Sequence, residues 1–275
     1  MRDWIKRIIE TLQYLRVTDR DKAVFGSWHH GYRLDSPLSH DDVRKLEEMY
    51  ELSLPEDYAV FLQEAGNGGA GPGYGLERFG YVAERRSIPT AKPRGEPHVV
   101  SASPGVTVFE QDFYDETGKK VDPFTVRYYG LLTILAGDGP VGPRAPSRPF
   151  PLSAPFQEMT EEMWALDEKD WSEEMRAEYQ ERQRLWRELD FNAGGLLVAD
   201  YGCGITASVV TNGPFRGHVW LLDPNVNRCV PFGMASDIHY GGEDKPGDDR
   251  DSAYTFRDWY EHWLRSSVEG FEGMS

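Results

Sequence analysis

Cysteine is scarce in this 275-residue chain: Cys203 and Cys229 stand too far apart for a C-x-x-C redox or zinc motif. So few thiols point to a reducing compartment and leave a single Cys203–Cys229 disulfide open. Cations are also in deficit, with 30 Lys and Arg against 46 Asp and Glu, a net charge of −16. That balance disfavours direct contact with a nucleic-acid backbone or an anionic membrane surface and favours a basic partner. No window holds the roughly 20 apolar residues of a membrane span. The opening Met1-Arg2-Asp3-Trp4-Ile5-Lys6-Arg7 lacks the unbroken apolar stretch of a secretory signal, so a cytoplasmic location is expected. Internal repeats and long low-complexity tracts are absent too. What the chain has is aromatic mass, 13% of residues with eight tryptophans, and 39% hydrophobic residues. Its length admits one large domain or two small ones, and either buries a substantial core.

Helical spacing is plain in four places. Trp4, Ile8, Leu12 and Leu15 recur at three- and four-residue steps and predict an amphipathic helix over 1–16. Ser39 with Asp42 three residues on reads as a capping box for a helix over 41–50. Pro55 suits a first helical position, Glu56 and Asp57 complement the helix dipole, and Tyr58, Phe61, Leu62 and Ala65 form one face of a helix that must stop at Gly66. Thr255 and Asp258 make a second capping box before Phe256, Trp259, Tyr260, Trp263 and Leu264, an aromatic face that a sheet should cover. A further helix is predicted from Ser172, in a tract 158–190 that carries twelve acids against five bases.

The sheet is legible around Gly202-Cys203-Gly204. Gly195 to Ala199, Ile205 to Thr211 and His218 to Leu222 are rich in strand-favouring residues, and Asn212-Gly213-Pro214 supplies turn chemistry, so three consecutive antiparallel strands are expected. Eleven of the eighteen prolines fall between about residues 85 and 155. This stretch reads as an insertion with one hairpin, its arms Val106 to Tyr114 and Phe124 to Leu135 joined through residues 115–120.

Several motifs invite chemistry. Gly66-Asn67-Gly68-Gly69-Ala70-Gly71 satisfies G-x-G-x-x-G, but a dinucleotide site needs a strand before it and a helix after it. Here a helix precedes and Pro72 follows, which favours a structural turn. Cys203 between glycines, with His218 as base and Asp200 as orienter, would make a thiol nucleophile; a packed thiol beside a tight turn is the plainer reading. His29, His30 and His40 lack zinc-ligand spacing, and Glu243 to Asp251 lacks the ligand spacing of a calcium loop. No cofactor and no metal are expected.

Five pieces in order resemble the SUKH superfamily, the family of the yeast cell-wall synthesis regulator and of many bacterial immunity proteins. They are the helix capped by Ser39; Leu54-Pro55-Glu56-Asp57-Tyr58 with Phe61-Leu62; the loop Asn67 to Gly75 with Gly68 and Gly69; the Gly202-Cys203-Gly204 strand signature with Gly213-Pro214 and Gly217-His218-Val219-Trp220; and Phe256 to Leu264 with Trp259 and Trp263. Phe150-Pro151-Leu152 before an acidic helical segment is similar to bacterial members. The resemblance covers about 39–81 and 149–268. It implies an α+β fold in one domain over 1–275, with helices beside a largely antiparallel twisted sheet, and it makes the motif residues structural. The early helix over 1–16, the Pro-rich insertion and the acidic loop 241–251 depart from a minimal member.

The resemblance further implies a non-enzymatic binding role. The first expectation is an immunity protein that neutralises a polymorphic toxin in the producing cell, the toxin being a basic nuclease or deaminase. The acidic balance fits, because an enzyme that holds phosphate presents cations. An intracellular regulator or scaffold is the alternative, and a Cys-dependent hydrolase a second one. Trp28, Tyr74 and Tyr240, in loops, are the candidate aromatic anchors for a protein partner. Glu243, Asp244, Asp248 and Asp249 are the candidate acidic contacts.

Overall fold

A computed structural model describes residues 1–79, 82–85, 92–103, 106–114, 117–121, 126–129, 145–191, 193–234 and 253–272. Helices α1 (Asp3–Thr18), α2 (Ser27–His30), α3 (His40–Tyr50) and α4 (Glu56–Glu64) come first. The chain then forms β1 (Val82–Arg85), β2 (Lys92–Ser103), β3 (Val106–Tyr114), β4 (Lys120–Val121) and β5 (Val126–Tyr129). Then follow β6 (Phe156–Gln157), α5 (Glu161–Trp164), α6 (Glu173–Glu188), β7 (Gly195–Gly202), β8 (Ile205–Val210), β9 (Val219–Asp223), β10 (Arg228–Pro231) and α7 (Phe256–Glu272).

The fold is α+β, with helices packed on an antiparallel sheet of order β6-β10-β9-β8-β7. The expected three-strand meander is there, and β10 continues it to a fourth strand. Successive β9 side chains go to opposite faces of the sheet, and both faces are covered. Val219 and Leu221 join the larger core, with Val209 of β8 and the apolar stripes of α1, α4 and α7. Trp220 and Leu222 join a second cluster with Val210, Cys229, Phe150 and Leu152, against which Trp186 and Leu189 from α6 and its C-terminal end are half-buried.

Both capping boxes form. Asp42 N–H donates to Ser39 Oγ at 3.1 Å and Asp258 N–H to Thr255 Oγ1 at 3.2 Å, each worth about 1 kcal/mol. Helix α4 differs in one detail from expectation: Pro55 is its N-cap rather than its first helical residue. Its Phe61 ring lies 5.2 Å from Phe256 and 4.8 Å from Tyr260 of α7, and the Arg7–Glu261 ion pair at 3.3 Å links α1 to the same helix.

The strands β1–β5 pair differently from the expected hairpin. β3 forms as anticipated, but its main partner is β2, and it meets β5 only at Phe109↔Tyr128. No strand was expected over 92–103, which holds Pro93 and Pro97; the register breaks between Arg94 and His98, which lets the second proline sit without a ladder bond. Of the second predicted arm, only 126–129 lie among the described residues, and they pair with β1.

Candidate functional site

The glycine-rich stretch after α4 is an extension of the sheet. Leu76 bridges Ala199 of β7 in antiparallel fashion, while Tyr74 N–H donates to Asp200 O at 2.8 Å and Glu77 N–H to Val198 O at 2.9 Å. Gly69 then bridges both Leu76 and Leu34, so the edge of β7 is covered by two further extended pieces of chain. Asn67 locks the turn from inside: its Nδ2 donates to Phe79 O at 2.9 Å and its Oδ1 accepts from Phe79 N–H at 2.7 Å. Tyr260 of α7 donates its hydroxyl to Ala70 O at 2.8 Å.

Two glycines explain why this stretch must be so poor in side chains. Gly73 has φ +62°, and a Cβ there would lie 2.4 Å from Asp200 O. Gly26, with φ +75°, faces it from the α1–α2 connection, and its Cβ would lie 1.8 Å from Gly73 O. Any side chain at either place drives the α2 segment, the glycine segment and β7 apart.

That close approach assembles an aromatic patch. Trp28, expected in a loop, lies instead on the single-turn helix α2 between two left-handed glycines, Gly26 and Gly31; it is 55% exposed and Tyr74 36% exposed, and their ring centroids lie 6.3 Å apart. Phe25 sits between them at 5.3 Å from each ring, and His29 stands 6.0 Å from Tyr74. These are the spacings of mutually packed rings, so the patch is preorganised. Gly202 lies beneath Tyr74; a Cβ there would be 3.1 Å from the tyrosine Cε2 and hydroxyl. The sequence singled out Trp28 and Tyr74 separately, and the structure brings them together. It did not single out Phe25, whose one signal is its place beside Gly26, three residues before Trp28.

Two titratable groups lie just behind. Glu77, half-buried next to Asp200, has its carboxyl pushed up to about 7, by burial first and the Asp200 charge second; Arg78 opposes this while itself paired to Asp35 at 2.7 Å. His30 packs against Trp263 and Tyr32 and accepts from Tyr32 N–H through Nδ1 at 3.0 Å. Burial, aided by the charges of His29 and Lys22, lowers it to about 4, so the ring is neutral at pH 7.

The nucleophile arrangement does not assemble. Cys203 occupies the β7–β8 turn, whereas His218 lies beyond the other end of β8, where its carbonyl accepts from Val210 N–H. The seven residue steps from Cys203 to Val210, which His218 faces, separate them by roughly 20 Å. The imidazole Nδ1 faces Ala253 O at 3.1 Å, and Asp200 Oδ1 accepts from Gly202 N–H at 2.7 Å. Cys203 and Cys229 are both free thiols, so the disulfide left open by the sequence does not form. Among the described residues, no group of three or more His, Cys, Asp or Glu is gathered as a metal site requires.

The other motif residues hold the frame. Tyr58 is buried 4.7 Å from the Phe256 ring, and Trp220, Trp259 and Trp263 are core residues. Gly68 and Gly69 lie in the sheet extension, and Gly202, Cys203 and Gly204 turn the chain with φ of +86°, +54° and +81°. Gly213 and Pro214 turn it between β8 and β9, and Gly217 bonds Val210 and Phe256 through its backbone. Tyr240, Glu243, Asp244, Asp248 and Asp249 lie outside the described residues.

An α+β chain with a preorganised aromatic patch at the edge of its sheet is the class that fold and site define. No family model, curated protein or solved structure matches the chain. Among the described residues, no helix is long and apolar enough to cross a membrane.

Proposed function

We propose that this chain is a protein-binding protein of the SUKH immunity type, which neutralises a basic toxin, a nuclease or deaminase, in the cell that produces it. The observation that carries the reading is the ring cluster on a glycine-built edge in which Trp28, His29 and Tyr74 are exposed and packed with the half-buried Phe25. Binding energy at protein interfaces concentrates in Trp and Tyr anchors whose conformation is fixed before contact. The net charge of −16 supplies the second half, since it steers a cationic partner toward the surface and sets the on-rate more than the affinity. The resemblance of the Pro55-to-Tyr58, Gly68-Gly69 and Gly202-Cys203-Gly204 segments to SUKH motifs supports the choice of toxin as partner.

The test is co-expression with the toxin encoded beside this chain. The wild-type protein suppresses killing and co-elutes with the toxin at moderate salt. The double substitution W28A/Y74A restores killing and raises the Kd about tenfold or more while the variant remains folded, with a cooperative melt above the assay temperature. Unchanged killing with the wild-type chain, or no complex, overturns the proposal. A complex as tight with W28A/Y74A as with wild type removes the patch from it.

A further inference from the structure

The α5 turn presents a second apolar surface unrelated to the Trp28–Tyr74 patch. Trp164 is 58% exposed and Leu166 42% exposed, although the turn around them is anchored on both sides. Met163 is fully buried, and the buried Trp171 donates its indole N–H to Met163 O at 3.3 Å while its ring packs 5.2 Å from Tyr179 of α6. Thr160 Oγ1 caps the start of α5 by accepting from Met163 N–H, and Arg176 Nη2 donates to Glu168 O. Met163 and Trp171 therefore turn inward and fix the segment, and in doing so they hold Trp164 and Leu166 outward. Water-exposed indole and isobutyl groups held in a fixed turn gain from a partner that covers them.

The frame around them states the partner's charge. Residues 161–174 hold seven acids and one lysine. Lys169 is spent on Asp167 at 2.9 Å, and Arg176 approaches Glu168 at 3.9 Å. Glu161, Glu162, Asp170 and Glu173 have no ion pair among the described residues. A second copy of this chain would bring the same negative frame against itself, which costs affinity. A segment with lysine or arginine flanking apolar side chains matches both features at once.

We infer that the α5 turn is a docking surface for a basic, apolar-striped segment of a partner protein, with Trp164 and Leu166 as anchors and the surrounding carboxylates as guides. It extends the protein-binding reading to another face and does not depend on Trp28 or Tyr74.

The experiment uses the full chain and a labelled, tryptophan-free helical peptide of leucine and lysine with one apolar stripe, alongside a peptide in which serine replaces every leucine. Fluorescence anisotropy should show the leucine peptide binding more tightly than the serine peptide. W164A/L166A should weaken the leucine peptide about tenfold or more, leave the serine peptide unchanged and keep the wild-type melting temperature. W28A/Y74A, measured in the same titration, should bind the leucine peptide as wild type does, so that loss of the toxin complex and loss of this surface are read separately. Equal affinity of W164A/L166A and wild type for the leucine peptide overturns the inference, as does equal affinity of wild type for both peptides. A wild-type dimer in sedimentation that W164A/L166A dissolves would also overturn it, by making the occupant a second copy.

Discussion

Glu77 and His30 flank the aromatic patch with opposite proton linkage. Glu77, ordinarily near 4.5 and here near 7, holds a proton in the folded state that the unfolded chain has released, so its contribution to stability falls as pH rises between those values. His30, ordinarily near 6.5 and here near 4, takes a proton only on unfolding, so its contribution rises with pH over 4 to 6.5. Between pH 4.5 and 6.5 the two oppose each other, and above 6.5 only Glu77 is left. Glu77→Gln removes one side of the balance. Its stability is expected to rise with pH over that window by about 1.4 kcal/mol per pH unit relative to wild type, and to exceed wild type above pH 7. Urea unfolding across this range checks it; parallel curves for the two proteins would show that Glu77 does not hold its proton on folding.

At the scale of elements, the glycine segment behaves as an edge strand whose side chains have been removed to let three pieces of backbone meet. Gly73→Ala is expected to cost roughly 1–3 kcal/mol, because the new Cβ meets Asp200 O in a left-handed conformation. Amide exchange locates the effect: the Tyr74 and Glu77 amides, bonded to β7, exchange faster, while those of β8 and β9 keep their protection. Uniform loss of protection would make the segment part of the common core instead. The helices were legible because periodicity and capping are local: Trp259 and Trp263 declare their face by spacing alone, and Ser39 and Thr255 mark where their helices begin. The Gly202 and Gly213 turns likewise announced the meander. Nothing local marks Leu76 as a partner of Ala199, more than a hundred residues away, since glycines carry no pattern that pairing could follow. β6 and β10 are too short for a period to show, and β2 was hidden by prolines that a register break accommodates. The candidate site was legible in the same uneven way: Trp28 and Tyr74 stood out as loop aromatics, but their adjacency depends on Gly26 meeting Gly73.

For the whole molecule, the charge of −16 is a long-range property that no single contact carries. Association with a basic partner is expected to slow several-fold as ionic strength rises toward about 0.5 M, where the screening length falls well below 10 Å, with a much smaller change in dissociation rate. Stopped-flow association over a salt series measures it, and an on-rate indifferent to salt would leave the aromatic anchors as the whole basis of binding. Both faces of the β6–β10 sheet are covered, so among the described residues the exposed Trp28 and Tyr74 stand at its edge and not on its faces.

The β7–β8 turn gives the molecule a built-in reporter position. Cys203 is exposed, one residue from the Gly202 backbone on which the Tyr74 ring rests, while burial raises Cys229 and keeps its thiol unreactive. A maleimide dye or spin label therefore attaches to the native chain at a single site beside the patch, and the arrival of a partner can be followed there without altering any anchoring ring.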